Sequence, residues 1–491
     1  MTDRAGAPPA DGSMARFHHT DLGTSESTWL LDDAWDEVPV VGVVALLQRF
    51  DALVVVVAHP DDETVGPGAT LAAAGLVGLP TTVVVATDGA HGAPKGSPWR
   101  GEPVAALRAQ EVSDACAALH PGARLRRLDL PDEHLADHSL ALADVVAEVV
   151  HGMTGRILLV TTYDADGHSD HAAAHAATRD ALDRSDPHRE RTTLLAAPIW
   201  AWLWGSPQEL PWERCVALDV PNAARHARTR ALGAHRSQVV GLGVGAEPLV
   251  GPRLRERVER VVETLVVEDR PGARDALLGA VEPSGALDRA GRVRRLDAMF
   301  DDGNEDPWGV EDSFYERRKR ALTLAAPTRD RLGRVLEIGC ATGVLTRELA
   351  PRSDAVVAVD VSAPALEVAR RRDLPGVTWV EGHAPGVLGD PVVTGGAPYD
   401  VVVLSEVGYF LTGSEWLATL RGLSRLLAAD GEVVLCHWQH PVRDLPLDGP
   451  AVHAQARAAL GLPVRSSFRD GDVLIEVLGG PESLAREEGR R

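Results

Sequence analysis

Apolar residues fall along this chain in short dense runs, separated by longer stretches of mixed character. Leu53-Val-Val-Val-Val-Ala58 is short and β-branched, which predicts a buried strand. Further strands are predicted at Thr81–Thr87, Leu125–Asp129, Arg156–Thr162 and Leu194–Trp204. The intervening patterns predict a short amphipathic helix over Val40–Phe50, helices over Thr64–Gly78 and Val104–His120, and a closing helical stretch over Leu254–Val267. If Leu194–Trp204 is a strand, its alternation puts Trp200, Trp202 and Trp204 on one face, for core packing or for stacking on a sugar ring.

The alternation then repeats. A helix is predicted over Glu311–Ala326, and strands over Arg334–Ile338, Val356–Asp360, Val377–Glu381, Tyr399–Leu404, Glu432–His437, Val464–Phe468 and Asp472–Leu478. Strands alternating with helices predict an α/β fold of two Rossmann-like domains, each a mostly parallel sheet covered by helices on both faces. Residues 1–28 read as a disordered leader, 29–267 as the first domain, 268–303 as a polar linker and 304–491 as the second domain.

Composition narrows the partners. Asp and Glu number 71 against 50 Lys and Arg, a formal charge of −21, which argues against a nucleic-acid or anionic-membrane surface. No apolar run reaches the roughly 18 residues of a membrane span. Four distant cysteines form no C-x-x-C pair, so neither a zinc ribbon nor a disulfide framework is indicated, and a reduced cytoplasm is expected. Homo-oligomerisation is left open.

The first chemical cluster follows the first strong strand: His59-Pro60-Asp61-Asp62-Glu63. His59 and Asp62 are nitrogen and oxygen donors suited to zinc, and Asp61 is free to act as a base. His168-Ser169-Asp170-His171 follows the strand Arg156–Thr162 and could bring a third ligand to the same crevice. Three protein ligands and an open position suit a catalytic metal. His91 and His175 read as solvated or satisfied histidines.

Ala58-His-Pro-Asp-Asp-Glu63 with Gly167-His-Ser-Asp-His171 resembles the zinc-dependent LmbE/PIG-L N-deacetylases, over about residues 50–265. That family removes acetyl groups from N-acetylglucosamine-type sugars. The resemblance implies that His59, Asp62 and His171 hold Zn2+ or another divalent ion in its place. It also implies that Asp61 is the general base, that a protonated His168 stabilises the oxyanion, and that Asp170 orients a neighbouring histidine. Arg108 and Asp132 match positions that hold substrate hydroxyls. Ala231–Gln238 also looks like a family segment, in a functional or a purely structural role.

The second cluster is Glu337-Ile-Gly-Cys-Ala-Thr-Gly343, with Asp360 ending the next strand. Gly339 and Gly343 permit a tight turn and close cofactor approach, and Asp360 can accept from ribose hydroxyls. Ala341 and Val344 stand where a dinucleotide fingerprint needs glycine, which disfavours phosphate binding. The stretch resembles the class I S-adenosylmethionine methyltransferases over about residues 301–491. Glu337, Gly339, Gly343, Asp360 and Glu381 are then cofactor-binding, while His383 stands near a position that is often an Asp beside adenine. Asp306-Pro-Trp-Gly309, Phe314-Tyr-Glu-Arg-Arg-Lys-Arg320, Ser405-Glu-Val-Gly-Tyr409 and His437-Trp-Gln-His-Pro441 are similar to nodulation-type amino-sugar N-methyltransferases. By position Glu406 and Tyr409 face the methyl acceptor, and Glu406 or His437 receives the amine's proton.

The two resemblances imply a bifunctional enzyme: deacetylation of an N-acetylamino sugar, then N-methylation of the freed amine by S-adenosyl-L-methionine. The alternatives are an O-methyltransferase acting at a separate step, or one half serving only as a substrate-binding module.

Overall fold

The computed structural model describes residues 23–93, 97–184, 190–242, 247–268, 273–279, 289–442, 445–480 and 485. Fifteen strands among them form two sheets. The first has the order β1-β7-β8-β6-β5-β2-β3-β4, with β1 Val40–Gly42, β2 Ala52–Val57, β3 Thr81–Thr87, β4 Arg124–Leu130, β5 Ile157–Thr162, β6 Thr192–Ala197, β7 Cys215–Asp219 and β8 Val262–Val267. Only β8 runs against its neighbours. The second has the order β11-β10-β9-β12-β13-β15-β14, with β9 Gly333–Ile338, β10 Ser353–Asp360, β11 Val377–Glu381, β12 Tyr399–Ser405, β13 Leu427–Trp438, β14 Val464–Arg469 and β15 Val473–Gly479. Here β15 is antiparallel to both neighbours. Both are mostly parallel sheets flanked by helices. No described helix is long and apolar enough to cross a membrane.

Strand order positions the two sites. From β2 the chain moves outward through β3 and β4, then returns to place β5 on the other side of β2. That reversal opens a crevice beyond the carboxyl ends of β2 and β5. The second sheet has the same reversal between β9 and β12.

Several expected elements are corrected. The strand Leu194–Trp204 stops at Ala197, and after Pro198 the chain turns into the helix Ala201–Trp204. Helical spacing stacks Trp200 on Trp204 at 4.7 Å, while Trp202 points away to Trp29, Trp35 and Trp212. The three indoles therefore share no face. The helix Thr64–Gly78 breaks at Gly66-Pro67 into Asp62–Val65 and Gly68–Val77, because proline lacks the N–H a helix interior needs. Leu254–Val267 is helical only in its first part, Pro252–Val258, and its β-branched end is strand β8. Val40–Phe50 is divided between β1 and the helix Val43–Leu47.

Most of the expected leader lies outside the described residues, but residues 23–28 belong to the fold. Glu26 opens a helix and is buried against Arg260, at 2.6 Å. Within 268–303 the described residues include the helices Ala273–Leu278 and Arg289–Asp297.

One hydrophobic cluster runs through both halves, joining Trp29, Trp202 and Trp212 to Trp416, Val452 and Leu460. Polar contacts close its rim: Val261 N–H donates to Gln455 Oε1 at 3.0 Å, and Asp219 accepts from the Ser414 backbone and hydroxyl at 2.8 and 2.9 Å. Gly413 is required there, since an added Cβ would lie 2.5 Å from the Val261 carbonyl oxygen. Gly413→Ala should therefore lower unfolding free energy by roughly 1–3 kcal/mol. Gly395→Ala, whose methyl meets nothing within 4 Å, should change it by under about 0.5 kcal/mol. Denaturant midpoints of the two variants check this, and equal midpoints would show that the halves are not closed at Gly413.

Candidate metal and cofactor sites

The turn after β2 places His59, Asp61 and Asp62 in the first crevice, all under a tenth exposed. Asp61 holds a φ of 149°, a rarely occupied conformation for a residue with a side chain. Its N–H donates to Glu63 Oε2 at 3.0 Å, and Glu63 in turn meets His235 Nε2 at 2.8 Å. The Ala231–Gln238 segment thus braces the turn from behind.

Across the crevice, the helix Ser169–Asp183 begins after β5 and carries His171. His171 Nδ1 lies 2.6 Å from Asp166 Oδ2. A carboxylate only accepts, so the Nδ1 proton points at Asp166 and Nε2 faces the crevice. That Nε2 is buried without a hydrogen-bond partner. Asp166, fully buried, is itself fixed by the N–H groups of Ile199, Trp200 and Ala201 at 2.7–3.0 Å. It stands in no quoted motif, and only the histidine it orients signals it.

Asp62 Oδ2 lies 3.3 Å from both His59 Nδ1 and His171 Nε2. Two zinc bonds of about 2.05 Å at the tetrahedral angle separate their donors by about 3.3 Å, so these two separations fit that ion. The ring nitrogens of His59, His168 and His171 also fall within 4.8 Å of one another. His168 is nevertheless the weaker ligand. Its Nδ1 accepts the Asp170 N–H at 3.2 Å, which leaves the proton on Nε2 and no lone pair for a metal.

This corrects the protonated His168 expected above. Burial, with His59 and His171 beside it, holds its pKa down at about 3, so the ring is a neutral Nε2–H donor. His171 goes the other way: burial opposes its charge, but Asp62 and Asp166 outweigh burial and raise it to about 9. Burial pushes Asp61 up to about 6, with Arg108 pulling it down and Asp62 pushing further up.

Arg108 and Asp132 are both buried, with partners inside the protein. Arg108 donates to Asp61 Oδ2 at 3.2 Å and to the Gly89 carbonyl at 3.0 Å. Asp132 Oδ1 and Asp170 Oδ2 lie 3.3 and 3.2 Å from His59 Nε2, so both orient that ring.

A cavity of about 310 Å3 lies beyond the carboxyl ends of β9, β10 and β12. Glu337, Gly339, Asp360, Glu406 and Tyr409 line it, with His383 at its wall. A Cβ at Gly339, whose φ is +83°, would lie 2.9 Å from Val407 Cβ. Asp360 accepts N–H groups from Ala341 and Ser362 at 2.7 and 2.9 Å and keeps lone pairs for a ribose. Burial, with Asp360 nearby, raises Glu337 to about 7. A cavity with the buried Glu337, the half-buried Asp360 and a close-approach glycine fits a nucleoside cofactor.

Three expected residues stand off the cavity. Gly343 caps the helix Val344–Leu349 against the Trp379 ring. Glu381 is exposed at the end of β11. His437 is fully buried; it accepts the Gly408 N–H at 3.1 Å and meets His453 at 3.0 Å. It supports the turn carrying Glu406 and Tyr409 and does not reach an acceptor. Conversely, Glu316 and Lys319, which lie in the quoted segment 314–320 but were given no role, and Arg289 and Arg292, which lie in no motif, also line the cavity.

The family described as GlcNAc-PI de-N-acetylase (PIG-L) matches residues 54–182, and nodulation protein S (NodS) matches residues 296–443. A probable N-acetyl-alpha-D-glucosaminyl L-malate deacetylase 2 of Bacillus subtilis is 32% identical over 195 residues, 39% of this chain and 84% of that protein. Nodulation protein S of Rhizobium tropici is 29% identical over 134 residues, 26% of this chain. The chain spans about half, 54%, of that relative's length. The solved N-methyltransferase NodS from Bradyrhizobium japonicum, in complex with S-adenosyl-L-homocysteine, is 21% identical with a TM-score of 0.32, covering 39% of this chain and 99% of its own.

The protonated state of His171 predicts how a metal enters. Below a pH of about 9 Nε2 must lose its proton before it can bind an ion, so affinity falls as pH falls. Zinc titration of metal-stripped protein should release between about one and two protons per ion at pH 8, with affinity weakening at least about tenfold per pH unit below that. Asp166→Asn should cost about 10–100-fold in affinity. Calorimetry in two buffers of different ionisation enthalpy reads both.

Proposed function

Because the N-terminal half belongs to the PIG-L/LmbE deacetylase family and the C-terminal half to the NodS-like S-adenosylmethionine-dependent methyltransferases, we propose that this chain deacetylates an N-acetylamino sugar and then methylates the freed nitrogen. The observation that carries the reading is the buried His59–Asp62–His171 cluster beside the raised carboxyl of Asp61. His59, Asp62 and His171 would hold zinc, which supplies a Lewis acid that acidifies water and polarises the amide carbonyl.

The chain's own groups do the rest. Asp61, steadied by Arg108, takes a proton from the attacking water. Charge then grows on the carbonyl oxygen, and the neutral His168 Nε2–H donates towards it. The water oxygen bonds the acyl carbon, the carbon–nitrogen bond breaks, and Asp61 returns its proton to the nitrogen. Acetate and an amine leave.

An amide nitrogen delocalises its lone pair into the carbonyl and attacks poorly. Deacetylation restores that pair, which is the physical reason for this order. Glu337, Gly339 and Asp360 would hold S-adenosylmethionine, which supplies an electrophilic methyl group. Glu316 and Glu406 in the cavity wall share one ammonium, Lys319, and the excess negative charge suits an ammonium group better than a neutral hydroxyl, which supports nitrogen as the acceptor.

Asp61→Asn should cut acetate release by about 10²–10⁴ while metal content stays intact. Wild-type hydrolysis should rise with pH through about 6, because the base form of Asp61 is the active one; a bound cation moves that limb lower. Loss of zinc in the variant would reassign Asp61 as a ligand. For the order, His171→Ala should give no methylated product from an N-acetylated sugar yet methylate the free amine. Mass spectrometry of both reactions decides, and methylation of oxygen would refute the reading.

A further inference from the structure

Of the chain's 50 basic residues, 48 are arginine. One of the two lysines, Lys319, sits in the cavity wall on the helix Phe314–Ala325. Its Nζ lies 2.9 Å from Glu316 Oε1 and 3.1 Å from Glu406 Oε1. All three side chains line the same end of the cavity. An ammonium is a compact point charge that can sit between two carboxylates, whereas a planar guanidinium forks outward.

Glu406 is pinned. Its Oε1 receives Lys319, while its Oε2 receives the Tyr409 hydroxyl and the Trp438 N–H, the latter at 3.3 Å. Its φ of 58° places it in the left-handed region, as expected of a residue whose position matters. Three donors hold this carboxylate in one orientation as a fixed anion.

The other groups facing Lys319 add no charge. Tyr315 presents its ring, 5.3 Å from Nζ, from the same helix. Cys436 on β13 is pushed up to about 12 by burial, and burial holds His437 down, so both are neutral. Neighbouring Arg320 is neutralised by Glu348 at 3.1 Å. Arg289 and Arg292 also line the cavity, but they pair with Glu415, at 3.4 and 2.5 Å, and not with this cluster. Two carboxylates and one ammonium therefore give the Glu316–Lys319–Glu406 cluster a net charge of −1.

We propose, resting on the N-methyltransferase reading above, that Lys319 is a positioning residue whose charge matches the acceptor end to one substrate ammonium group. A site of −2 would grip the ammonium and keep its proton on. A neutral site would not recruit it. The nitrogen must first shed its proton to solvent; its new N–C bond then forms as the S–C bond of the sulfonium donor breaks, and that electron pair stays on sulfur. A net charge of −1 recruits the cation and still lets the proton go.

Charge variants made in the full chain test this by the pH profile of amine methylation. Lys319→Met should move the acidic limb of kcat up by about one unit, lower KM for the amine and reduce kcat at pH 7 about tenfold. Glu316→Gln should do the opposite, moving the limb down and raising KM about tenfold. Lys319→Arg should return the limb to within about 0.3 unit of wild type. Calorimetry with S-adenosyl-L-homocysteine establishes that each variant is folded, and if Lys319→Met is not, the direction of the Glu316→Gln shift decides alone. Limbs that stay still, or both move the same way, overturn the proposal while wild-type methylation stands. A wild-type chain that methylates no amine overturns the proposed function as well.

Discussion

A charge withdrawn from water must find partners, and at the first crevice that constraint shapes everything around His171. The ring is fully buried between two carboxylates. Asp166 takes one ring proton and is held by three backbone N–H groups, which come from the turn that ends β6. The turn must therefore leave the sheet where it does, which is why the strand stops before the tryptophans. The other ring nitrogen is left facing Asp62 and the crevice. The tautomer of His171 and the course of the chain after Ala197 both follow from one buried imidazole–carboxylate pair.

The same logic runs outward. Asp61 is a base that burial alone would keep protonated, and Arg108 opposes that burial. Arg108 is itself buried, and a second of its nitrogens donates to the Gly89 carbonyl. Glu63 and His235 form a second buried pair that fixes the backbone of Asp61 in an unfavourable conformation. Strain and desolvation meet at one residue, as they do at sites where geometry is held against local preference.

Much of this was legible before any coordinates. The β-branched runs located β2, β5, β9 and β12 to within one residue, because a strand buried on both faces has little choice of composition, while β6, β10 and β13 were placed less well. That His59, Asp62 and His171 meet in one crevice was legible because they cluster in two short motifs. The roles of Asp166, Glu316 and Lys319 were not, because each cluster is completed by a distant segment: the N–H groups of Ile199, Trp200 and Ala201 for Asp166, and Glu406 for the Glu316–Lys319 pair. His437 was misread for the converse reason: it sits beside Trp438 at the end of β13, but its ring turns inward to His453. The tryptophan error came from a period. Trp200, Trp202 and Trp204 alternate as on a strand, while Pro198 and the anchor at Asp166 impose a helical turn. Alternation over five residues cannot separate the two periods without knowing what satisfies the backbone.

The continuity of the core across the halves gives the fusion a physical consequence. Trp29, from the start of the described chain, packs with Trp202 and Trp212 in the same cluster as Trp416 and Val452. Asp448, which caps the helix Gly449–Leu460, also meets Arg225 and His226 of the first half, at 3.2 and 2.9 Å. That helix carries His453, whose partner His437 supports the Glu406 turn. The acceptor turn of the second crevice thus rests on a helix that the first half anchors. Separating the halves would expose a tryptophan-rich face to water and remove the clamp on Asp448, so the two halves share stability even where their crevices share no residue.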